Sequence, residues 1–359
     1  MMDNFKFIII MLTGFLQLVS CQDLKEKQMK QELNEWTPAA SNPTDSAGKT
    51  MLVFMVQSSI TTAQGYPGGL PFAASVDGWG KFATGPGHMK GTPTEAEAIY
   101  YALAEDKFYH LKTPLLPQEQ MKDYMSRWYQ RGESDKYEEQ YIRNLNDKDD
   151  LDYLRFTHLI FGFGPQGMVV LWAGYGPLRI ELARYQAQEI TGSTAEYEQR
   201  MRRVWASTRE QMRAEDLIPN LTNEKWEKYR RRYNIKLNYI SENPGFRIFK
   251  TYYECYNGEA EFLFRPYILN EKGKSRALPN FIEMEWETGL GQKFKGRLFF
   301  KEEILFKEFE KYNKDQPLDF TIKFNKDNSK LEVLINNEPL EIQNFRIYKN
   351  DENYKDSYQ

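Results

Sequence analysis

The sequence predicts an α+β fold in which antiparallel β meanders are joined by a few packed helices, preceded by a signal peptide and a flexible tether. Three observations predict it. In the centre, Phe156 to Phe163, Met168 to Trp172 and Leu178 to Tyr185 are short apolar runs separated by Gly and Pro turns. Connections that short make antiparallel neighbours, hence a meander. On either side, apolar residues recur at helical spacing, and the last third is a series of strand-like runs, a mixture that reads as α+β.

The N-terminus carries an address. Phe5 to Val19 is apolar, and its core from Phe7 to Leu18 is shorter than the roughly 20 residues that span a bilayer. It fits the h-region of a secretory signal peptide, residues 1–20. Leu18-Val19-Ser20-Cys21 directly behind it resembles the bacterial lipobox, in which the cysteine is diacylated and becomes the mature N-terminus. Cys21 is therefore the expected lipid-attachment (palmitate) residue, and several acyl chains anchor a protein stably at about 0.8 kcal/mol per buried methylene. Gln22 rather than Asp at the next position resembles lipoproteins sent to the outer membrane, facing the periplasm or the cell surface. Residues 21–46 are polar, with Pro38 and Pro43, and read as a lipidated tether. A short helix over Leu24 to Trp36 is the competing reading.

The globular pattern starts at about residue 47. Met51 to Val56 and Ala74 to Phe82 are strand candidates, with Gly65 to Gly69 as a loop between them. Glu95 to Leu111 is ambiguous, since Ala96, Ile99, Tyr100 and Leu103 repeat like a helix face. Pro117 opens a helix with Met121, Tyr124, Met125 and Trp128 on one side. After the meander, Ser193 and Glu196 have capping-box spacing, and a stripe from Tyr197 through Trp205 and Thr208 to Met212 predicts a long helix. A second helix is expected over Asn223 to Tyr233. Strands follow at Ile235 to Ile240, Phe246 to Tyr253, Ala260 to Tyr267, Phe281 to Glu287 and Phe294 to Phe300. A helix over Glu302 to Tyr312 precedes three more strands, ending at Tyr348. Residues 47–240 are taken as the α+β domain. The β-rich part 241–350 belongs to it or forms a second domain, and 351–359 is a disordered tail.

Charge and chemistry narrow the function. With 48 Lys and Arg against 51 Asp and Glu, the net charge of −3 argues against nucleic acid as a partner. The two cysteines, Cys21 and Cys255, rule out a disulfide framework, and cleavage before Cys21 leaves Cys255 as an isolated thiol. Gly162-x-Gly164-x-x-Gly167 matches a dinucleotide-binding pattern in letters only, because a strand follows where a helix must start. Glu283, Glu285 and Glu287 alternate along a strand, on one face and about 7 Å apart. They are weak candidates for calcium or glycoside chemistry, against the simpler reading of a solvated strand face. On that simpler reading, changing all three to Gln alters stability by no more than about 0.5 kcal/mol. Lys228 to Tyr233 is basic with aromatics interleaved, and reads as a helix with its arginines in solvent. His88, His110 and His158 have no ligand spacing, and no metal or cofactor site is expected.

Three segments resemble the bacterial domain-of-unknown-function family 2931, whose members are often lipoproteins. These are Ala102 to His110 with Leu115-Leu116-Pro117 behind it, Leu159 to Tyr185, and Trp226 to Tyr233, the family's pattern standing at Glu105 to Tyr109, Gly162 to Gly167 and Val169 to Trp172. Asn257-Gly258-Glu259 and the last third look like a longer Bacteroidota version. The resemblance implies strands for Ala98 to Lys112 and supplies no activity. The expectation is thus an envelope lipoprotein leaning to the non-enzymatic, most simply a protein-binding immunity or accessory protein. The alternative is a carbohydrate- or lipid-binding module, with weak hydrolysis through Glu283, Glu285 and Glu287. A pocket lined by Trp, Tyr and carboxylates favours the second, and a broad exposed apolar patch the first.

Overall fold

The structure, a computed structural model, describes residues 35–45, 47–73, 78–85, 87–126, 156–191, 208–265, 267–269, 271–289 and 291–350. Strands far outnumber helices in it, and the sheets are mainly antiparallel. The meander forms as expected: β8 (His158–Phe163), β9 (Met168–Tyr175) and β10 (Leu178–Gln186) pair antiparallel in sequence order. They sit inside an 11-stranded sheet. On one side β8 pairs in parallel with β1 (Glu35–Ser41), which also pairs with the two-residue strands β4 (Ala83–Thr84) and β5 (Met89–Lys90). On the other, β10 meets β14 (Ala260–Phe264), followed by β13 (Arg247–Cys255), β16 (Pro279–Glu287), β17 (Lys293–Phe299) and β21 (Asn344–Lys349). The sheet therefore runs through strands from both sides of residue 240.

Two five-stranded sheets complete the fold. One has the order β11 (Gln188–Ile190), β7 (Lys107–Pro114), β6 (Pro93–Ala102), β2 (Val53–Thr62), β3 (Pro67–Gly68). The other runs β15 (Lys274–Ala277), β12 (Arg232–Ser241), β18 (Pro317–Phe324), β19 (Leu331–Ile335), β20 (Glu338–Leu340), with β12 and β18 parallel. Four helices are described: α1 (Gln118–Ser126), α2 (Arg209–Asp216), α3 (Glu224–Tyr229) and α4 (Glu302–Phe309).

The run Met168-Val169-Val170-Leu171-Trp172 is apolar at every position because β9 is covered on both faces. Val169 and Leu171 join a core with Val53, Tyr100 and Leu111 of the first small sheet. Met168, Val170 and Trp172 join a core with Trp226 and Tyr229 of α3 and Leu237 and Phe320 of the second. Trp172 is fully buried, and Gly162 is the residue that leaves room for it. A Cβ at Gly162 would overlap the Trp172 ring and press on Trp79. Gly162→Ala is expected to cost about 1–3 kcal/mol by overpacking, read from the midpoint of a urea transition.

Several expectations need correction. The tether expected over residues 21–46 cannot extend past residue 34, because Glu35–Ser41 is a core strand with Trp36 fully buried. Neither a coil nor a helix through Trp36 survives pairing with His158 to Gly162. Residues 78–82 are turn and loop rather than strand, and 74–77 lie outside the described residues. The helix-like face at Ala96 to Leu103 gives way to the hairpin β6–β7, as the resemblance implied. Ala96, Ala98, Tyr100 and Ala102 alternate inward, and tertiary pairing overrides a spacing that fits both periods. Thr208 does not continue a helix: its extended backbone caps α2, with Gln211 completing a capping box. The helix from Asn223 stops at Tyr229, since Arg232 onward is claimed by β15 and β18. The expected signal peptide over 1–20, Cys21, Trp128, the Ser193–Glu196 pair, Trp205 and the expected tail 351–359 lie outside the described residues.

Candidate functional site

A cavity of about 220 Å³ opens where the segment after β1 and the loop before β4 meet the ends of β13 and β16 and the side of α3. Trp79, Trp226, Tyr229 and Tyr256 form its aromatic walls, and the polar side chains Glu254 and Asn280 also line it. Thr44, Asp45, Lys81 and Lys225 border it, the two lysines exposed to solvent.

Three of the four walls are pinned by specific contacts. Trp79 stands edge-on to Trp172, with ring centroids 4.9 Å apart at 81°. Its loop is held by the Gly80 N–H donating to Ser41 Oγ at 3.0 Å, and by direct contact of Gly80 with Gly258. Both glycines have positive φ (85° and 88°), and either Cβ would collide with the other backbone. The Tyr229 hydroxyl donates to Glu302 at 2.6 Å, and that of Tyr256 to the Phe300 carbonyl at 3.1 Å. Glu254 accepts from the Tyr252 hydroxyl at 2.8 Å, while the buried Arg179 guanidinium lies 4.0 Å from its other oxygen. Two lining side chains, Trp79 and Asn280, carry a buried polar atom (Nε1 and Oδ1) with no hydrogen-bond partner among the described residues. Such atoms are costly when nothing meets them.

A polar network beneath the pocket sets the position of the Gly258 turn. Arg179 Nε donates to the Gly258 carbonyl at 2.6 Å, and Glu259 accepts from the Glu181 N–H, from Asn257 and from Arg232. Arg230 pairs with Glu181 at 2.7 Å. Asn257-Gly258-Glu259 is thus the turn from β13 to β14, and the basic run is divided. Arg230 is half-buried and committed to Glu181, whereas Arg231 and Arg232 keep the solvated position expected of them while pairing with Glu310 and Glu259. Burial raises the Glu181 carboxyl above its ordinary range, with Arg230 opposing.

The Glu105 to Tyr109 motif is a latch. Asp106 sits in the left-handed region (φ 54°) at the tip between β6 and β7. It accepts from Tyr101 at 2.6 Å and from Arg209 of α2 at 2.7 Å, while Arg209 lies 5.5 Å from the Tyr101 and Phe108 ring centres. Glu105 accepts from the Tyr109 hydroxyl and from the Gln166 N–H, so the motif holds the Gly162–Gly167 turn as well as α2. That turn connects two strands, as the glycine pattern was read. Asp106→Ala should destabilise by about 1–3 kcal/mol, through lost partners and strained backbone, while Asp106→Asn, which tolerates the left-handed region, costs less. Chemical denaturation of the pair separates them.

Glu283, Glu285 and Glu287 do share one face of β16, but the face is not wet. Glu285 is fully buried between Lys250 (3.1 Å) and Lys295 (3.3 Å). Glu283 pairs with Lys295 and Arg297, both at 2.7 Å, and Glu287 with Arg247 at 3.0 Å. Basic residues of β13 and β17 neutralise a carboxylate ladder, so the solvated-face expectation is corrected, and these residues do not line the pocket. A second buried cluster joins two sheets: Arg276 binds Glu261 (2.6 Å) and Glu271 (2.9 Å), and Lys274 also pairs with Glu261. Burial alone would raise Glu261, but Arg276 and Lys274 overcome it and hold the carboxyl down to about 2. A lowered native pKa stabilises above the unfolded value near 4.5, and that contribution is lost as pH falls from there toward 2. Glu261→Gln should therefore flatten the acid limb of stability against pH between those values, measured by urea midpoints at stepped pH.

No group of three or more His, Cys, Asp or Glu suited to a metal ion occurs among the described residues. His88 Nδ1 bonds Thr37 at 2.9 Å and His110 bonds Glu97 at 2.8 Å, both structural roles. Burial lowers the His158 pKa. Cys255 is a buried free thiol, pushed well above its ordinary range by burial.

No curated protein and no solved structure matches the chain. A family model described as "Protein of unknown function (DUF2931)" matches residues 25–229, from ahead of β1 to the end of α3. The match takes in Trp79, Trp226 and Tyr229, whereas Glu254, Tyr256 and Asn280 come from the chain beyond it. As it spans more than half of the 359 residues, the chain belongs to the DUF2931 family.

Proposed function

We propose that this chain is an outer-membrane lipoprotein, anchored through acyl chains on Cys21, whose body binds a small polar ligand in the Trp79–Trp226 pocket. The pocket is the observation that carries the reading. Pinned aromatic walls around a few placed polar groups are the usual anatomy of a small-molecule site. At about 220 Å³ it lies below the roughly 300–1,000 Å³ of drug-sized pockets, and suits a ligand of a single ring. The anchor is supported by the h-region and lipobox. With β1 starting at Glu35, residues 22–34 separate the proposed anchor from the first strand. Thr44 and Asp45 follow the far end of β1, so the pocket lies about 20 Å along that strand from the tether's attachment.

Differential scanning fluorimetry with a library of sugars, amino acids, amines and carboxylates tests the pocket. Saturation at 100 times Kd adds about 2.7 kcal/mol of stability, so at least one member should raise Tm by several degrees. The gain should vanish in Lys225→Trp, which closes the mouth. No shift in the wild type, or an equal shift in the closed variant, overturns the reading. Fatty-acid labelling of wild type against Cys21→Ala tests the anchor: label should appear in the wild type alone, and equal label in both refutes it.

A second reading, binding of an envelope protein partner, rests on a different place. Ile240 and Leu269, two of the five large exposed apolar residues described, line an open trough of about 720 Å³. The other three, Tyr66, Leu217 and Tyr348, lie outside it, so the broad patch such a partner favours is small here.

A further inference from the structure

We infer that the ligand is one uncharged sugar ring, its hydroxyls held by Glu254 and Asn280 and its face laid against the aromatic wall. This rests on the pocket reading above and names its substrate class.

Charge is the first reason. The cavity is lined by two carboxylates, Asp45 and Glu254, and two ammonium groups, Lys81 and Lys225. Lys225 is shared with Glu302, 3.4 Å away. A phosphate or carboxylate ligand would meet Asp45 and Glu254, and a quaternary ammonium would meet Lys81 and Lys225. No net sign is left to favour either ion. A neutral ligand rich in both donors and acceptors satisfies all four.

Hydrogen bonding is the second. Glu254 lines the cavity with one oxygen bonded to Tyr252 and the other 4.0 Å from Arg179. Asn280 brings a carbonyl oxygen, and Trp79 an indole N–H, without partners among the described residues. An acyl chain would leave these two groups unmet and would also strip water from the Glu254 carboxylate, which is unfavourable. Adjacent hydroxyls donate to the carboxylate and the amide carbonyl and accept from lysine and indole. The walls give the third reason: the C–H face of a pyranose is apolar and packs on aromatic rings. Tyr229 and Tyr256 are fixed by their own hydrogen bonds, so little is lost in ordering them on binding.

The test uses the full-length protein in detergent and isothermal titration with named probes: the single-ring neutral glycans methyl glucoside, methyl galactoside and N-acetylglucosamine, together with glucuronate and glycine betaine. A neutral glycan should bind. Its affinity should fall about tenfold or more in Glu254→Gln, which keeps the shape and the acceptor for Tyr252, and likewise in Asn280→Ala. Glucuronate and betaine should bind more weakly or not at all. Binding of glucuronate or betaine in the pocket without any neutral glycan overturns the sugar assignment and leaves the small-ligand reading standing. Glycan binding unchanged in both variants places the sugar elsewhere and overturns it too. If none of these probes binds while the fluorimetry library still yields a ligand that Lys225→Trp abolishes, the sugar assignment falls and the small-ligand reading stands.

Discussion

Replacing Trp172 by alanine should lower the unfolding free energy by about 3–5 kcal/mol, the range for removing a buried aromatic from a core. The indole is fully buried and fills the space above Gly162. It also touches the Gly258 turn and supports the Trp79 ring edge-on. Its loss therefore opens a cavity and frees one wall of the proposed ligand pocket. Denaturant titration reads the first effect. Ligand titration of the surviving folded fraction reads the second, expected as weaker binding with no change at Glu254 itself. A change below about 1 kcal/mol would mean that the three-layer packing around β9 is wrong.

The second large effect is at Glu285. Removing one member of a buried ion pair strands the other charge, at a cost of about 3–5 kcal/mol. Glu285→Ala leaves Lys250 with a lost partner, while Lys295 retains Glu283, so the lower end of that range is expected. The comparison variant, Glu287→Ala, removes a pair whose Arg247 is half exposed, and should cost no more than about 1 kcal/mol. Thermal and urea unfolding of the two variants distinguishes the buried ladder from a wet strand face, on which both changes would be small.

What was legible in the sequence was local. The meander could be read because Gly and Pro turns delimit it, and α1 because Met121 and Met125 keep helical spacing and are buried. Most strands of the last third fall within a few residues of their predicted bounds, since alternation survives wherever one face is polar. Alternation does not tell whether the polar face is wet: Glu285 looks the same on paper whether it meets water or Lys250. The spacing of Ala96, Ile99 and Tyr100 fits two periods, and only pairing with β2 and β7 decides between them. β1 was missed because Trp36 to Ser41 holds two alanines and a proline, with its burial supplied by neighbours far along the chain. The pocket was invisible for the same reason. Asp45, Trp79, Trp226, Glu254 and Asn280 come from separate segments, and no spacing in the sequence joins them.

The pocket is tested most directly by the indole N–H spectrum of the ¹⁵N-labelled protein, titrated with the tightest ligand from the fluorimetry screen. Seven tryptophans give seven signals, assigned by single Trp→Phe changes. Trp36 donates to the Gly91 carbonyl and Trp286 to Asn328, both at 2.8 Å and away from the cavity. Binding should move the Trp79 and Trp226 signals and leave those of Trp36 and Trp286 in place. A ligand that binds while the Trp79 and Trp226 signals stay fixed would contradict the assignment of this cavity as the site.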